Sequence, residues 1–398
     1  MFSGDAAPSR HNAAAMNRVF STVVVFAVLA APWRLSAAPP ALPTPQVQAL
    51  NVPAWTLSLQ KRLEAADARF AGDIGVYVHH LDRNESYSFH GEEPWYLASG
   101  VKVPVAIAVM RAIERGELSL QTRLTLRETD FVDGAGGTNA HPAGTRLPVS
   151  YLLEQMIVYS DNTASDLLIR GVGIARVNAV ASELIAVRGV QITSLADVRR
   201  RAYGMLHPAA AGLKSSDLLA LQRSGAGPAR VRKLAQLLAV EPAEFLLPDM
   251  DSAFEAYYAT HANSASLVDY GRMLASLSDG LALGPDGTRY LLDLMTRVQT
   301  GQQRIRAGLP AQARFAHKTG TQYRRTCDLG IVTMPPTATA RAQSPRPRAA
   351  RVVIAACARG ASTAASERAL RDVGAAVTAS GVFRDTPPVP TVSSPAPP

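Results

Sequence analysis

Apolar residues alternate at strand spacing near both ends of the chain and repeat at helical spacing between them. The alternating runs predict strands over residues 73–81, 85–89, 315–321, 327–334 and 351–358. Helical spacing predicts helices over residues 55–70, 101–113, 151–158, 162–170, 175–186, 215–223, 229–239, 253–260, 266–277, 288–300 and 362–380. This order predicts an α+β fold in which both ends build one sheet around an inserted helical lobe, about residues 101–300.

The two ends of the chain have the composition of processed or disordered segments. Basic residues precede an apolar run, 19–31, that is short for a membrane span and typical of a signal-peptide core. We predict a signal peptide over 1–38, a Pro/Ala-rich linker over 39–50, a folded domain over 51–384 and a Pro-rich disordered tail over 385–398. The protein would then be exported, periplasmic or secreted, with no stable membrane anchor; an uncleaved anchor is the alternative.

Composition narrows the class of partner. The chain has 398 residues, 47% of them hydrophobic, and a formal net charge of +9, which favours anionic surfaces. Because no finger, helix-turn-helix or aromatic-and-basic groove pattern accompanies that charge, we predict no nucleic-acid partner. We expect a small-molecule or peptide substrate and a monomeric protein.

Two cysteines, Cys327 and Cys357, lie on neighbouring predicted strands. They are too few for a thiolate metal cage and no histidine joins them at ligand spacing, so no metal or other cofactor is predicted. Pairing residue 334 with residue 351 in an antiparallel hairpin sets the cysteines opposite each other to within one residue. A disulfide is therefore predicted, with two buried thiols as the alternative.

Ser99 and Lys102 form the first candidate catalytic motif. Ser99 lies at the start of the predicted helix 101–113, and a lysine three residues later shares its helical face. A desolvated lysine can take the proton of a serine hydroxyl, and amides at a helix start suit an oxyanion. Alone, the pair is a weak signal, because Ser and Lys occur three residues apart by chance in many helices, and a helix cap beside a surface lysine is the alternative.

A second motif, Ser160-Asp161-Asn162, lies in a turn between two predicted helices. The Ser160 hydroxyl can relay a proton, and the Asn162 side chain can position a substrate amide. As a bare tripeptide the motif is also ordinary turn chemistry.

The third motif, Lys318-Thr319-Gly320-Thr321, lies on a predicted strand. Lys318 supplies a positive charge, and Gly320 lets a substrate approach the strand backbone closely. The amide of Thr321 is a candidate second oxyanion donor. An edge-strand lysine is the alternative interpretation of this motif alone.

S-x-x-K, S-D-N and K-T-G, in this order, form the motif set of class A β-lactamases and penicillin-binding proteins. On these motifs, and on the stretch 304–310, the chain resembles a class A β-lactamase-type serine hydrolase from about residue 55 to residue 383. The resemblance implies an α/β sandwich with a five-stranded antiparallel sheet, terminal helices and an all-α lobe. It also implies that the protein opens β-lactam rings through an acyl-enzyme.

The resemblance further assigns a role to each matching residue. Ser99 would be the acylated nucleophile, Lys102 its base and Ser160 the proton donor to the leaving nitrogen. Asn162 would hold the acyl side chain, and the oxyanion would lie between the amides of Ser99 and Thr321. The groups for the substrate carboxylate would be Lys318, Thr319 and Arg304.

Two features depart from the family pattern. Class A enzymes carry a glutamate that activates the deacylating water, whereas the matching stretch, 192–201, contains none. Asp197 lies near the expected spacing and is the candidate base, with a surface or helix-cap aspartate as the alternative. Segment 224–263 is longer than the resemblance requires, which indicates either extra packing outside the lobe or a lid or partner surface near the cleft.

Three functions remain open on the sequence. Hydrolysis of β-lactams leads. A penicillin-binding or D-Ala-D-Ala peptidase-like enzyme fits the missing glutamate, and a β-lactam-binding sensor domain that stays acylated is the third. Turnover of a chromogenic cephalosporin separates the first from the third, and release of D-alanine from a muropeptide identifies the second.

Overall fold

A computed structural model of the protein describes residues 52–134, 136–185, 190–336, 338–343 and 349–384. The predicted signal peptide, linker and C-terminal tail lie outside these residues. No helix in the described part of the chain is long and apolar enough to cross a membrane.

The described residues form β-strands and α-helices joined by short 3₁₀ turns. The strands are β1 (Asp73–His80), β2 (Glu85–Phe89), β3 (Pro94–Tyr96), β4 (Arg123–Thr125), β5 (Arg146–Pro148), β6 (Ser264–Ser266), β7 (Arg314–Gln322), β8 (Arg325–Met334) and β9 (Ala350–Arg359). The helices are α1 (Ala54–Asp67), α2 (Lys102–Glu114), α3 (Val149–Val158), α4 (Asn162–Val172), α5 (Ile174–Leu184), α6 (Leu195–Gly204), α7 (Ser215–Arg223), α8 (Pro228–Leu238), α9 (Met250–Tyr258), α10 (Leu267–Ser278), α11 (Pro285–Thr296), α12 (Ile305–Gly308), α13 (Ala338–Gln343) and α14 (Thr363–Ser380).

Strands from both ends of the described chain form one five-stranded antiparallel sheet in the order β2-β1-β9-β8-β7. The two ends meet where β1 pairs with β9, from Asp73 opposite Arg359 to His80 opposite Val352. Helices α2 to α11 lie in sequence between β1 and β7 and make up the inserted lobe. The predicted α+β architecture, with a five-stranded antiparallel sheet and terminal helices, is confirmed. The lobe is mostly helical but not all-α, because the short strands β4, β5 and β6 lie within it.

Both faces of this sheet are buried. Successive side chains of a strand point to opposite sides, so one strand contributes to two cores. On one face, Ile74, Val76 and Val78 of β1 pack in a core shared with α1 and α14. On the other face, Tyr77 belongs to a larger core shared with the helical lobe. The candidate site lies at this second face, where β7 meets the start of α2.

Cys327 and Cys357 form the predicted disulfide. They are directly paired between β8 and β9, with their Cα atoms 4.0 Å apart, and both are buried on the face of the helical lobe. The register sets Met334 opposite Ala350, one residue from the pairing that the sequence predicted. That shift removes the one-residue offset and aligns the two cysteines.

Helix α6 is the main element that the hydrophobic spacing did not predict. Ser194 caps its start by accepting the Asp197 amide at 3.0 Å, while Leu195, Val198 and Ala202 are buried. The three consecutive arginines, 199–201, interrupt the apolar repeat, which is why spacing alone missed the helix. Serine followed three residues later by aspartate is a helix-start signal that would have found it.

The disulfide is expected to stabilise the fold by about 3–4 kcal/mol, since it closes a loop of this size in the unfolded chain. Replacing both cysteines by serine should lower the free energy of unfolding in urea by that amount under oxidising conditions. In the wild type, a reductant that reaches the bond should have the same effect, and in the double variant it should have none. Equal unfolding free energies of the two proteins without reductant would contradict this expectation.

Candidate active site

Ser99 lies on a tight 3₁₀ turn, Ala98–Val101, directly before α2. Ala98 has a positive φ of 48°, a conformation that side chains with a Cβ rarely adopt. The turn packs closely against β7. A Cβ atom added to Gly320 would lie only 2.2 Å from the carbonyl oxygen of Leu97, so the backbones could not approach this closely with a larger residue there. Gly320 was predicted to admit substrate; in the structure its missing side chain admits the turn that carries Ser99.

Lys102 is fully buried at the first position of α2. Its amine donates to the Ser160 carbonyl at 2.6 Å, to the Asn162 side-chain oxygen at 2.7 Å and to the Ser160 hydroxyl at 3.3 Å. Burial lowers the pKa of Lys102 to about 7, against the opposing charges of Asp161 and Asp166. These hydrogen-bond partners of the Lys102 amine do not include the Ser99 hydroxyl.

The Ser160 hydroxyl lies between two lysine amines. Lys318 donates to it at 2.9 Å from the sheet side, and Lys102 approaches it at 3.3 Å from the lobe side. Ser160 has a positive φ of 64°, which a hydroxyl-bearing residue adopts only where its surroundings enforce it. The structure thus brings two of the predicted groups, the amines of Lys102 and Lys318, together around a third, the Ser160 hydroxyl.

Lys318 is also fully buried, and it donates a second hydrogen bond to the Thr319 carbonyl at 3.0 Å. Burial, together with the positive charges of Lys102 and Arg304, lowers its pKa well below the usual lysine value. The negative charge of Asp328, on the neighbouring strand β8, opposes this shift.

Asn162 connects Lys102 to the loop that precedes α3. Its side-chain oxygen accepts from Lys102, and its amide donates to the Asp133 carbonyl at 2.6 Å. The Asp133 carboxylate in turn accepts from Arg199 of α6 at 2.7 Å. The charge of Arg199 adds to the lowering of the Lys102 pKa.

Two buried aspartates of α4 were not predicted as site residues. Asp161 caps the helix through the Ala164 amide at 2.8 Å and accepts the Thr138 amide at 2.9 Å. Asp166, one turn further on, accepts the amides of Leu195 at 2.7 Å and Ala196 at 2.9 Å, and burial raises its pKa to about 7. The aspartate spacing on the apolar face of the predicted helix 162–170 was the signal that could have found Asp166.

The three remaining groups of the third motif differ in accessibility. Thr321 is exposed, whereas Thr319 is buried and its hydroxyl lies 2.5 Å from that of Thr300. Arg304 is 3% exposed and donates to the Gly320 carbonyl at 3.1 Å and to the Thr321 hydroxyl at 2.7 Å, with its Nε on Glu367. The structure thus holds the Arg304 guanidinium against Gly320 and Thr321 of the third motif, and its predicted role in binding the substrate carboxylate stays a prediction.

Asp197 lies outside this cluster. Its side chain is 46% exposed and pairs with Arg200 at 2.9 Å. It lines a cavity of about 550 Å³ whose lining contains none of Ser99, Lys102, Ser160 and Lys318. The structure therefore does not bring Asp197 together with the other predicted groups.

Segment 224–263 contributes part of the wall beside the Ser99 turn. The Tyr258 hydroxyl donates to the Tyr323 carbonyl at 2.8 Å, and the Phe254 and Tyr323 rings stack at 5.3 Å. At the end of the segment, the Asn263 carbonyl accepts the Leu97 amide at 2.9 Å. Helix α9 thus packs against Tyr323, just after β7, while α8 has mostly half-exposed residues.

No group of three or more His, Cys, Asp and Glu side chains within the described ranges is arranged to hold a metal ion.

Gly320→Ala should destabilise the fold by about 1–3 kcal/mol, because the new methyl group meets the Leu97 carbonyl. Gly204→Ala, at the end of α6, is the matched control, since nothing lies within 4 Å of its added methyl group. That variant should have an unchanged or slightly raised free energy of unfolding in urea. Equal values for the two variants would show that β7 is not pressed against the Ser99 turn.

A model of the β-lactamase enzyme family matches residues 58–378. The β-lactamase VEB-1 of Pseudomonas aeruginosa is 21% identical over 288 residues, covering 70% of this chain and 78% of its own length. A β-lactamase of Mycobacterium tuberculosis is 25% identical over 278 residues, covering 70% of this chain and 73% of its own.

Solved structures share the fold at low identity. A β-lactamase from Sphaerobacter thermophilus is 23% identical, with a TM-score of 0.58 over 83% of this chain and 98% of that one. The protein PBP-A is 21% identical, with a TM-score of 0.58 over 81% of this chain and 95% of that one. Since the family model spans most of the sequence, the chain belongs to the β-lactamase enzyme family, with the class A β-lactamase-like fold that its three motifs predicted.

Proposed function

We propose that the protein is an exported serine hydrolase that opens β-lactam rings through an acyl-enzyme on Ser99. One observation carries the proposal: the Ser160 hydroxyl is held between the amines of Lys102, at 3.3 Å, and Lys318, at 2.9 Å. A hydroxyl in that position can pass a proton to an atom in the cleft and be resupplied by an amine. Family membership supports β-lactams as the substrate class.

In the acylation step, the Ser99 hydroxyl oxygen bonds to the lactam carbonyl carbon, and its proton goes to the neutral Lys102 amine. The negative charge on the carbonyl oxygen is stabilised by the amides of Ser99 and Thr321. The carbon–nitrogen bond then breaks, and the leaving nitrogen takes the Ser160 proton, which Lys102 replaces. Lys102 ends neutral and the substrate carbonyl is esterified to Ser99, so protons and charge balance.

Within the residues that the structure describes, no carboxylate is an evident base for deacylation. Of the carboxylates whose charge acts on Lys102, Asp161 and Asp166 each use both oxygens on backbone amides. Asp133 accepts from Arg199, and Asp197 pairs with Arg200 outside the cluster. Losing a positioned general base costs about 10²–10⁴-fold in rate, so the acyl-enzyme should persist for minutes or longer.

The missing base for deacylation also supports a second candidate function. This candidate is a penicillin-binding or D-Ala-D-Ala peptidase-like enzyme that β-lactams trap as a stable adduct. Such an enzyme would release D-alanine from a muropeptide, which a β-lactamase would not. A sensor domain would bind β-lactam covalently and do neither. Export is proposed from the predicted signal peptide, and the Cys327–Cys357 disulfide supports an oxidising compartment.

Intact-mass measurement over time after mixing with benzylpenicillin tests the proposal. A mass increase equal to one penicillin should appear on the wild type and be absent from Ser99→Ala, and it should decay over minutes. Asp197→Asn should not change the decay, because Asp197 lies outside the cluster. No adduct and no turnover with any β-lactam would contradict the proposed substrate class.

The rate of adduct formation should depend on pH through Lys102. The pKa of Lys102 is lowered to about 7, so the amine is mostly protonated below this pH and cannot accept the Ser99 proton. The second-order rate constant should rise about tenfold per pH unit below pH ~7 and level off above it. A rate constant that does not vary between about pH 5 and about pH 9 would show that Lys102 is not the base.

A further inference from the structure

Arg199 is a cation beside the site that the proposed mechanism does not use. Arg199 lies on helix α6, within the stretch 192–201 that lacks the family's glutamate. The Arg199 side chain is 14% exposed. Its Nε donates to the Asp133 carboxylate at 2.7 Å, and the carbonyl of Asp133 accepts from Asn162 at 2.6 Å. Arg199 is therefore tied to the residue predicted to hold the acyl side chain of the substrate.

The two terminal nitrogens of Arg199 remain available. Among the described residues, Arg199 donates one side-chain hydrogen bond, from Nε to Asp133. Neither Nη1 nor Nη2 has an acceptor among these residues. Neither atom is one of the buried side-chain atoms without a partner, so both reach solvent. The planar N–H groups of a guanidinium match the two oxygens of a carboxylate.

The groups around Arg199 favour binding of an anion from the cleft. Its hydrogen bond to Asp133, whose carbonyl accepts from Asn162, places it one residue away from Asn162, and its positive charge helps to lower the pKa of Lys102. Asp133 is the carboxylate that accepts from it, and it engages only Nε. Its side chain is only 14% exposed, so water weakens a charge-assisted hydrogen bond from it less than at an open surface.

We propose that Arg199 binds a carboxylate on the acyl side chain of the substrate. The preferred substrates would then be β-lactams, or peptides, with an anionic group on the acyl side of the bond that is opened. This inference rests on the proposed function, because it needs an acyl group held beside Asn162.

Two penicillins that differ by one carboxylate test the proposal: benzylpenicillin, with an uncharged acyl side chain, and carbenicillin, which carries a carboxylate on the same side-chain carbon. The measured quantity is the second-order rate constant for Ser99 adduct formation, followed by intact mass. Arg199→Gln should lower the ratio of the carbenicillin to the benzylpenicillin rate constant by about tenfold or more.

Two further variants separate recognition from folding. Arg199→Lys keeps the charge without the planar fork, so it should lower the ratio less than Arg199→Gln. Arg200→Gln, the next residue of α6, removes a guanidinium that pairs with Asp197 and should leave the ratio unchanged. If Arg199→Gln does not fold, the two rate constants are measured on the wild type at increasing ionic strength. Added salt should lower the ratio of the carbenicillin to the benzylpenicillin rate constant.

An equal loss for both penicillins in Arg199→Gln would mean that Arg199 only braces Asp133, and it would overturn the inference. A ratio that neither Arg199 substitution nor salt changes would do the same. When benzylpenicillin labels Ser99 in either of these cases, the proposed function stands and only the inference fails. Absence of any adduct with both penicillins would overturn the two together.

Discussion

The site depends on keeping the amines of Lys102 and Lys318 out of water on either side of the Ser160 hydroxyl. Burying a cation is costly, so burial favours the neutral form of each amine, and the charge of Lys102 adds to this effect on Lys318. Fixed acceptors offset part of this cost: the Ser160 carbonyl and Asn162 for Lys102, and the Thr319 carbonyl for Lys318. A base usable near neutral pH is the chemical result.

The fold meets this requirement by packing the helical lobe against the edge strand of the sheet; we call this contact the seam. Lys102 and Ser160 come from the helical lobe, and Lys318 comes from β7 at the edge of the sheet. Close approach at the seam needs Gly320 against Leu97, and it leaves Ala98 and Ser160 at positive φ. These conformations persist because the surrounding contacts over-determine them, which is typical of functional sites.

Much of the fold followed from spacing in the sequence, because long apolar repeats record which face of each strand and helix is buried. The disulfide followed from strand register alone, and it was one residue better aligned than predicted. The contacts of Arg304 and Asp197 could not be predicted, because they depend on which groups each side chain turns toward in the folded chain. No local pattern records that choice.

The Arg199–Asp133 pair joins positions far apart in the sequence, and only the structure shows it. Arg199 belongs to the run of three arginines that interrupts the apolar repeat of α6. The sequence of that run does not distinguish Arg199 from Arg200 or Arg201. Packing on α6 makes the distinction, since Arg199 turns toward Asp133 while Arg200 turns toward Asp197. Helical phase, rather than residue type, therefore decides which arginine adjoins the site.

The central claim is that burial makes Lys102 a neutral base near neutral pH, and a direct titration of that amine tests it. NMR spectra of protein with ¹³C-labelled lysine side chains, recorded across the pH range, give the pKa of each lysine, and Lys102→Met assigns the relevant signal. The structure predicts that the Lys102 signal titrates at a pKa of about 7. A Lys102 signal that titrates near the ordinary lysine value of about 10.4 would contradict the claim.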